Sequence, residues 1–359
     1  MRHSTFRLAA LFGFAALIAT AAVPARAQGF ADVLDTPASA SALASQRPLM
    51  ASQFAGERLV AAGLRGHIVY SDDGGKTWQQ ASVPVSSDLT ALSFADARHG
   101  WAVGHDGVIL HSEDGGKTWQ LQMDGRRVNA LVLAGLKRRI AAEGESETLA
   151  AQLAEAERAA AEGPARPFLD VWFADAREGY AVGAYNLILH TVDGGATWES
   201  WFDRTENPRF YHLYGIRGEG ENLYAVGELG LVLRLDRASG QFRALATPYH
   251  GSFFGVLANP GLVLAYGMRG NAYRSRDQGA TWEAVATGSQ SSLTGSTVLA
   301  DGRPMLCSQG GELLLGDAEA RQFQRLPSPA PMSYTGLAAS GTTLVVTGLR
   351  GVRAETPSL

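Results

Sequence analysis

The sequence is poor in the features that mark most enzymes and most membrane-spanning chains. Its 359 residues contain a single cysteine, Cys307, so no internal disulfide can form and no lipid-anchor cysteine stands at the N-terminal cleavage pattern described below. Cys307 sits in the apolar run Met305-Leu306-Cys307, where a small core residue is expected and not a nucleophile. Charged residues make up only 18%, with a formal net charge of −4, a balance that disfavours nucleic acid as a partner. There is no Gly-x-Ser-x-Gly elbow, no phosphate loop and no His-Glu-x-x-His pair, which removes the common hydrolase, nucleotide and zinc-protease signatures. His67, His111, His190, His212 and His250 lack ligand spacing, and His111 and His190 recur at one repeat position, as structural strand residues do. No metal and no cofactor is expected.

Long apolar runs are also scarce. The one such run, Leu8 to Val23, follows Arg2 and Arg7 and precedes Ala25-Arg26-Ala27. That order reads as a secretory signal over residues 1–27; the run is shorter than a bilayer-spanning helix needs. The mature chain, 28–359, is expected to be a single exported domain, periplasmic or secreted, monomeric and without stable membrane insertion. Losing Arg2, Arg7 and Arg26 takes its formal charge from −4 to −7.

What is abundant is glycine, 42 residues, arranged in a repeat. One unit runs from Gly100-Trp-Ala-Val-Gly104 through Trp119; others run from Leu59 through Trp78, Gly179 through Trp198 and Leu264 through Trp282. Weaker copies run from Tyr224 through Phe242 and from Leu306 through Phe323, and a truncated one begins at Val345. The last residue of each hairpin turn falls at Gly66, Gly107, Asn186, Gly230, Gly270, Gly311 and Gly351, giving steps of 41, 79, 44, 40, 41 and 40. The long step is one unit plus about 38 residues, and the remainder is about 42 per unit, the length of a four-stranded propeller blade. The fold class expected is all-β, a seven-bladed β-propeller with a helical hairpin inserted between blades 2 and 3. The seventh copy lacks a fourth strand, and Phe30–Asp35 is expected to supply it and close the ring.

Four units carry Ser/Thr-x-Asp-x-Gly-x-Thr-Trp: Ser71, Asp73, Gly75 and Trp78; Ser112, Asp114, Gly116 and Trp119; Thr191, Asp193, Gly195 and Trp198; Ser275, Asp277, Gly279 and Trp282. The aspartate can accept amide bonds within its own loop, the glycines permit positive φ and the tryptophan packs across the blade. These groups are therefore read as structural. With Phe94-Ala-Asp-Ala-Arg98, repeated at Phe173-Ala-Asp-Ala-Arg177, they resemble the BNR/Asp-box class, and the mature chain resembles the photosystem II stability/assembly factor family and its non-photosynthetic relatives. The resemblance implies a non-catalytic assembly or stability role on a membrane protein or envelope complex, such as an accessory to a transporter, through an arginine-rich patch.

In a four-stranded meander the Asp boxes occupy one rim. The Gly-x-x-Gly tips and the blade-to-blade connections share the other, which is the expected working face. The tips bring Arg65, His105, Tyr185, Glu228, Arg269, Gln309 and Arg350; the connections add Arg209 and Tyr211, then Tyr249, Phe253 and Phe254. Arg65, Arg269 and Arg350 alone are positioned to resemble the family's patch, and arginines beside aromatics suit protein contacts. The insertion, residues 124–166, carries Leu131, Leu136, Ile140, Leu149 and Leu153 at helical spacing, broken at Gly144. It reads as a helical hairpin projecting from this face, either docking a partner or capping the propeller. The competing function is a sialidase-like glycosidase or glycan-binding propeller, since those also carry Asp boxes. It lacks support from a Phe/Tyr-Arg-Ile-Pro segment before the first repeat.

Overall fold

A computed structural model describes residues 31–356; the expected signal segment and Phe30 lie outside the described residues. Seven antiparallel sheets follow one another along the chain, six of four strands and the last of three. Their inner strands are Leu49–Ala55, Leu89–Phe94, Phe168–Phe173, Leu213–Glu219, Phe253–Asn259, Leu293–Val298 and Tyr334–Ser340. Each contacts the inner strand of the next blade, and the seventh contacts the first. The architecture is the seven-bladed β-propeller expected.

The second strands, such as Gly100–Gly104 and Gly179–Gly183, are buried along their whole length, because they are covered on both faces by neighbouring blades. Cys307 lies in one of them, fully buried, and burial pushes its thiol up to about 12. His111 and His190 are strand residues paired directly opposite Trp101 and Tyr180, with ring centroids 4.9 and 4.3 Å apart.

Each Asp box closes on itself. Ser71 Oγ donates to Asp73 Oδ1 at 2.8 Å and accepts the Gly75 amide at 2.9 Å. Asp73 Oδ1 accepts the Thr77 amide at 2.9 Å, and Oδ2 accepts the Thr77 hydroxyl at 2.6 Å. The same set recurs around Asp114, Asp193 and Asp277. The box tryptophan does more than span its own blade. Trp119 is packed with Val60 and Ala62 of blade 1 as well as Leu110 of blade 2, and Trp282 with Tyr224 and Val226 of blade 4. These side chains seal one blade to its predecessor.

Ring closure differs from the expectation. Residues 31–35 form a turn, with the Asp35 amide bonded to the Asp32 carbonyl at 3.0 Å, and add no strand to blade 7. The N-terminal segment instead runs along the blade 1 to blade 2 connection, where Ala38 donates to the Val83 carbonyl at 3.1 Å and Ser86 to the Val33 carbonyl at 2.9 Å. It then packs the turn Ala44–Gln46 against blade 7. Gly351, at φ +93°, leaves no room there for a side chain: a Cβ would meet the Ser45 carbonyl oxygen. Blades 7 and 1 are joined by the Thr335 hydroxyl, which donates to the Leu49 carbonyl at 2.6 Å, and by a shared core of Leu49, Leu59, Val69, Val345 and Val352 flanked by Trp78.

The insertion folds as two helices, α1 (Gly125–Glu143) and α2 (Glu147–Glu162). Asp124 and Ser146 cap them by accepting the amides of Arg127 and Leu149. Gly144, at φ +85°, ends the first. Val128, Val132, Leu136, Leu149 and Ala156 pack with Met123, Phe168, Leu187 and Phe202, so the hairpin is part of the core between blades 2 and 3. Among the described residues no helix is long and apolar enough to cross a membrane.

Candidate functional site

The turns between second and third strands form tips of one pattern. In blades 1 to 5 the middle tip residue is left-handed: Arg65, Asp106, Tyr185, Leu229 and Arg269 have φ between 50° and 59°. A non-glycine residue there costs on the order of 1 kcal/mol, and the turn is held by tight contacts beneath it. A Cβ on Gly230 would overlap the Tyr249 carbonyl, and one on Gly270 the Ser289 carbonyl. The Arg65 amide donates to Asp88 Oδ1 at 2.7 Å, and the Tyr185 amide to His212 Nδ1 at 3.0 Å. Asp88 and His212 each precede the inner strand of the next blade, so tips and connections form one composite face.

The structure separates the expected face residues. Arg65, Arg269, Arg350, Tyr185 and Arg209 are exposed, and Tyr211 is half-buried with its hydroxyl accepting from Arg209 at 3.0 Å. His105, Glu228 and Gln309 are first tip residues and not the left-handed ones; the Glu228 carboxylate turns inward to accept the His212 amide at 2.8 Å. Tyr249 is half-buried, packed on Phe253 and Tyr273, and its hydroxyl donates to the Met268 carbonyl. Phe253 is a correction: it is 0% exposed, in the core shared by blades 4 and 5, and cannot meet a partner.

The reason is a bulge. In every inner strand the second residue is skipped in the pairing with its neighbour, and a bulge re-aims that side chain. The skipped residues line a cavity on the propeller axis. Three of them, Thr90, Thr294 and Thr335, donate to the first carbonyl of the next inner strand, at 2.9, 2.9 and 2.6 Å. The other four are Met50, Leu169, Tyr214 and Phe254, with the Tyr214 and Phe254 rings edge to face at 5.4 Å. Phe254, and not Phe253, is therefore the one of the two phenylalanines that lines the axial cavity.

Charge pairing distinguishes the two rims. On the Asp-box rim Arg58, Arg237, Arg274, Arg303 and Arg321 each hold a carboxylate within 3.0 Å; Arg98 and Arg177 have no ion pair with a described residue, and Arg276 has Glu319 at 3.9 Å. On the tip face Arg65, Arg269 and Arg350 have no ion pair with a described residue, and neither do Arg209 and Arg47. Arg47 precedes the first inner strand and joins this set. Arg65 and Arg47 both help to lower the His67 pKa, although burial is the larger cause. Exposed apolar side chains share the face: Tyr185, Leu229, Met268 and Leu349 are all on tips. At the junction with the helical hairpin the Arg166 guanidinium lies over the Tyr185 ring.

Catalytic groupings are sparse. The box carboxylates are spent within their loops, and the Thr77 hydroxyl and amide hold Asp73 down to about 2. Asp170 is the one carboxylate among the described residues lining the axial cavity, whereas glycoside hydrolysis by the usual route takes two flanking the bond. A polar groove of about 420 Å³ beside α1 is walled largely by charged residues already paired, Arg139 with Asp203 at 2.5 Å and Arg204 with Glu199 at 2.8 Å, with Arg138 also on its wall.

A profile of the family described as photosynthesis system II assembly factor YCF48 matches residues 52–133 and 161–324, leaving out most of the helical hairpin. The chain belongs to that family. A curated YCF48 relative, the photosystem II assembly lipoprotein Ycf48 of Synechococcus sp. (strain CC9902), is 28% identical over 123 residues, which cover 33% of this chain and 37% of the relative. Little more than a third of that relative's length is matched. A solved YCF48 bound to D1 peptide superposes with a TM-score of 0.61 at 12% identity, over 86% of this chain and 91% of the other. YCF48 from Cyanidioschyzon merolae gives 0.62 at 14%, over 89% and 97%. The WD40 propeller domain of Doa1 gives 0.59 at 9%, over 89% and 95%; at these identities the likeness is one of fold.

Proposed function

We propose that this chain is a non-catalytic, exported binding factor that serves the assembly or stability of a membrane-protein complex of the cell envelope, and that it works through its tip face. The observation that carries the reading is the contrast between rims: most arginines of the Asp-box rim hold a neighbouring carboxylate, whereas Arg47, Arg65, Arg269 and Arg350 of the tip face are exposed without one. On a chain of net charge −4, an unpaired basic face with apolar residues beside it suits an acidic protein segment, because guanidinium forks bind carboxylates and aromatic neighbours add contact area. The family assignment supports an assembly role, and a solved YCF48 bound to D1 peptide supports a peptide as the kind of ligand. The self-satisfied Asp boxes argue against chemistry on the other rim. The N-terminal pattern of Arg2, Arg7 and the Leu8–Val23 run supports export.

The test is affinity capture from detergent-solubilised envelope with the wild-type chain and with Arg65→Glu/Arg269→Glu/Arg350→Glu. The triple variant is expected to fold and to lose a partner that the wild type retains. Equal recovery by both rejects the tip face as the binding surface.

A further inference from the structure

The axial cavity of about 160 Å³ is built around Arg217 and Asp170, contributed by the inner strands of blades 4 and 3. Arg217 Nη1 donates to Asp170 Oδ2 at 2.5 Å and to the Ile216 carbonyl at 2.6 Å. Asp170 is otherwise satisfied, because the Ile216 amide donates to Oδ2 at 2.8 Å and the Val171 amide to Oδ1 at 2.9 Å. The Nε and Nη2 groups of Arg217 have no partner among the described residues, and 36% of that side chain stays accessible although the ring of blades surrounds it. Ser52, 6% exposed, lines the same cavity, and its Oγ has no hydrogen-bond partner. An unpaired buried hydroxyl costs about 1–3 kcal/mol.

We propose that this cavity is a carboxylate socket. A carboxylate carried by a partner segment, as a chain terminus or as an acidic side chain, enters past the bulged residues from the tip face. It takes the open Nε/Nη2 edge of Arg217 with two parallel bonds and accepts the Ser52 hydroxyl. The inference rests on the tip face being the partner surface. The chemistry selects a planar monoanion: the guanidinium fork matches a carboxylate, and Asp170 already offsets part of the charge that a dianion would need. The volume fits as well, since water occupies about 30 Å³ apiece and a cavity of this size admits one small side-chain head group. The skipped residues Met50, Leu169, Tyr214 and Phe254 would surround the apolar stem behind it.

Two measurements test it. In the first, the Arg217 Nε–H resonance of the full ¹⁵N-labelled propeller is followed as sodium acetate replaces sodium chloride at constant ionic strength. A saturable shift is expected, lost in Arg217→Met/Asp170→Asn, which removes both charges together so that neither is left buried alone. An unmoved resonance in the wild type overturns the socket without recourse to any variant. In the second, three fluorescein-labelled Gly-Ser-Gly-Ser-Ala peptides are compared by anisotropy: a free C-terminal acid, its amide, and an amide carrying one internal glutamate. Binding at least about tenfold tighter for the free acid assigns a chain terminus, and for the glutamate peptide a side chain; equal binding of all three overturns the proposal. The Arg65→Glu/Arg269→Glu/Arg350→Glu variant should keep the acetate shift. If it also keeps the captured partner, the tip-face reading fails while the socket stands.

Discussion

The Arg166 guanidinium stacks over the Tyr185 ring with its central carbon 4.6 Å from the ring centroid, and its Nη1 lies 2.8 Å from Glu155 Oε1 of α2. One arginine thus fastens the helical hairpin to the tip of blade 3. The Glu155 and Arg166 side chains are 4% and 9% exposed, and each has a second partner: Arg158 also pairs with Glu155, and Arg166 reaches Glu162 at 3.4 Å. Arg166→Met should destabilise the fold by about 1.5–3 kcal/mol, less than a fully stranded carboxylate would cost, because Arg158 still faces Glu155. Arg166→Met/Glu155→Leu should recover most of that loss. A double-mutant cycle in urea measures the difference, and equal losses in single and double variants would refute the pairing.

Acid should loosen the Asp boxes in a defined window. Thr77 and Thr281, through side chain and backbone, hold Asp73 and Asp277 down to about 2, and Asp114 and Asp193 are lowered as well. A carboxyl lowered on folding stabilises the fold above its unfolded value near 4, and that contribution fades as pH falls through the folded value. The unfolding midpoint should therefore lose this contribution between about pH 4 and pH 2. Replacing all four aspartates by asparagine should lower the midpoint at neutral pH and flatten that part of the profile. Thermal unfolding across this range reads both effects.

Neighbouring phenylalanines should behave in opposite ways. Phe253→Ala empties a fully buried site and should cost about 3–5 kcal/mol of stability. Phe254→Ala removes a half-buried side chain lining the axial cavity; it should cost clearly less, and weaken capture of the tip-face partner. Chemical denaturation and affinity capture on the same two variants give both readouts.

Much of this molecule is legible in its sequence because the repeat is local and strict. The step between hairpin turns fixes seven blades, and the inner strand read at Leu89–Phe94 is observed over those residues. The Asp box is legible for the same reason: its bonds run between residues two to four apart. The axial residues are harder. Phe253 and Phe254 read together as a connection on the tip face, whereas the inner strand starts at Phe253 and its bulge turns the second residue, not the first, toward the axis. A signal was available, since Gly215, Gly255, Gly295 and Gly336 each follow the skipped residue and lie close against neighbouring strands or side chains. Arg217 and Asp170 carried no local signal, because they meet across two blades. Blade 7 misled for a related reason: a missing strand is visible in sequence, whereas the contact of the turn Ala44–Gln46 with Gly351 depends on ring closure.

The left-handed tips have a bearing on how such a scaffold diversifies. The backbone at most tips is clamped from below by glycine and by the following blade's entry segment, and the middle side chain lies outside that clamp; the blade 3 tip, with Asn186 for glycine and Tyr185 packed on His212, is the exception. Arginine, aspartate, tyrosine and leucine already occupy this one conformation within a single chain. The face therefore behaves as a set of letters on a fixed dial, where one letter can be exchanged without resetting the others. Propellers whose backbones superpose can in this way address unrelated partners, and a change of client needs no change of architecture.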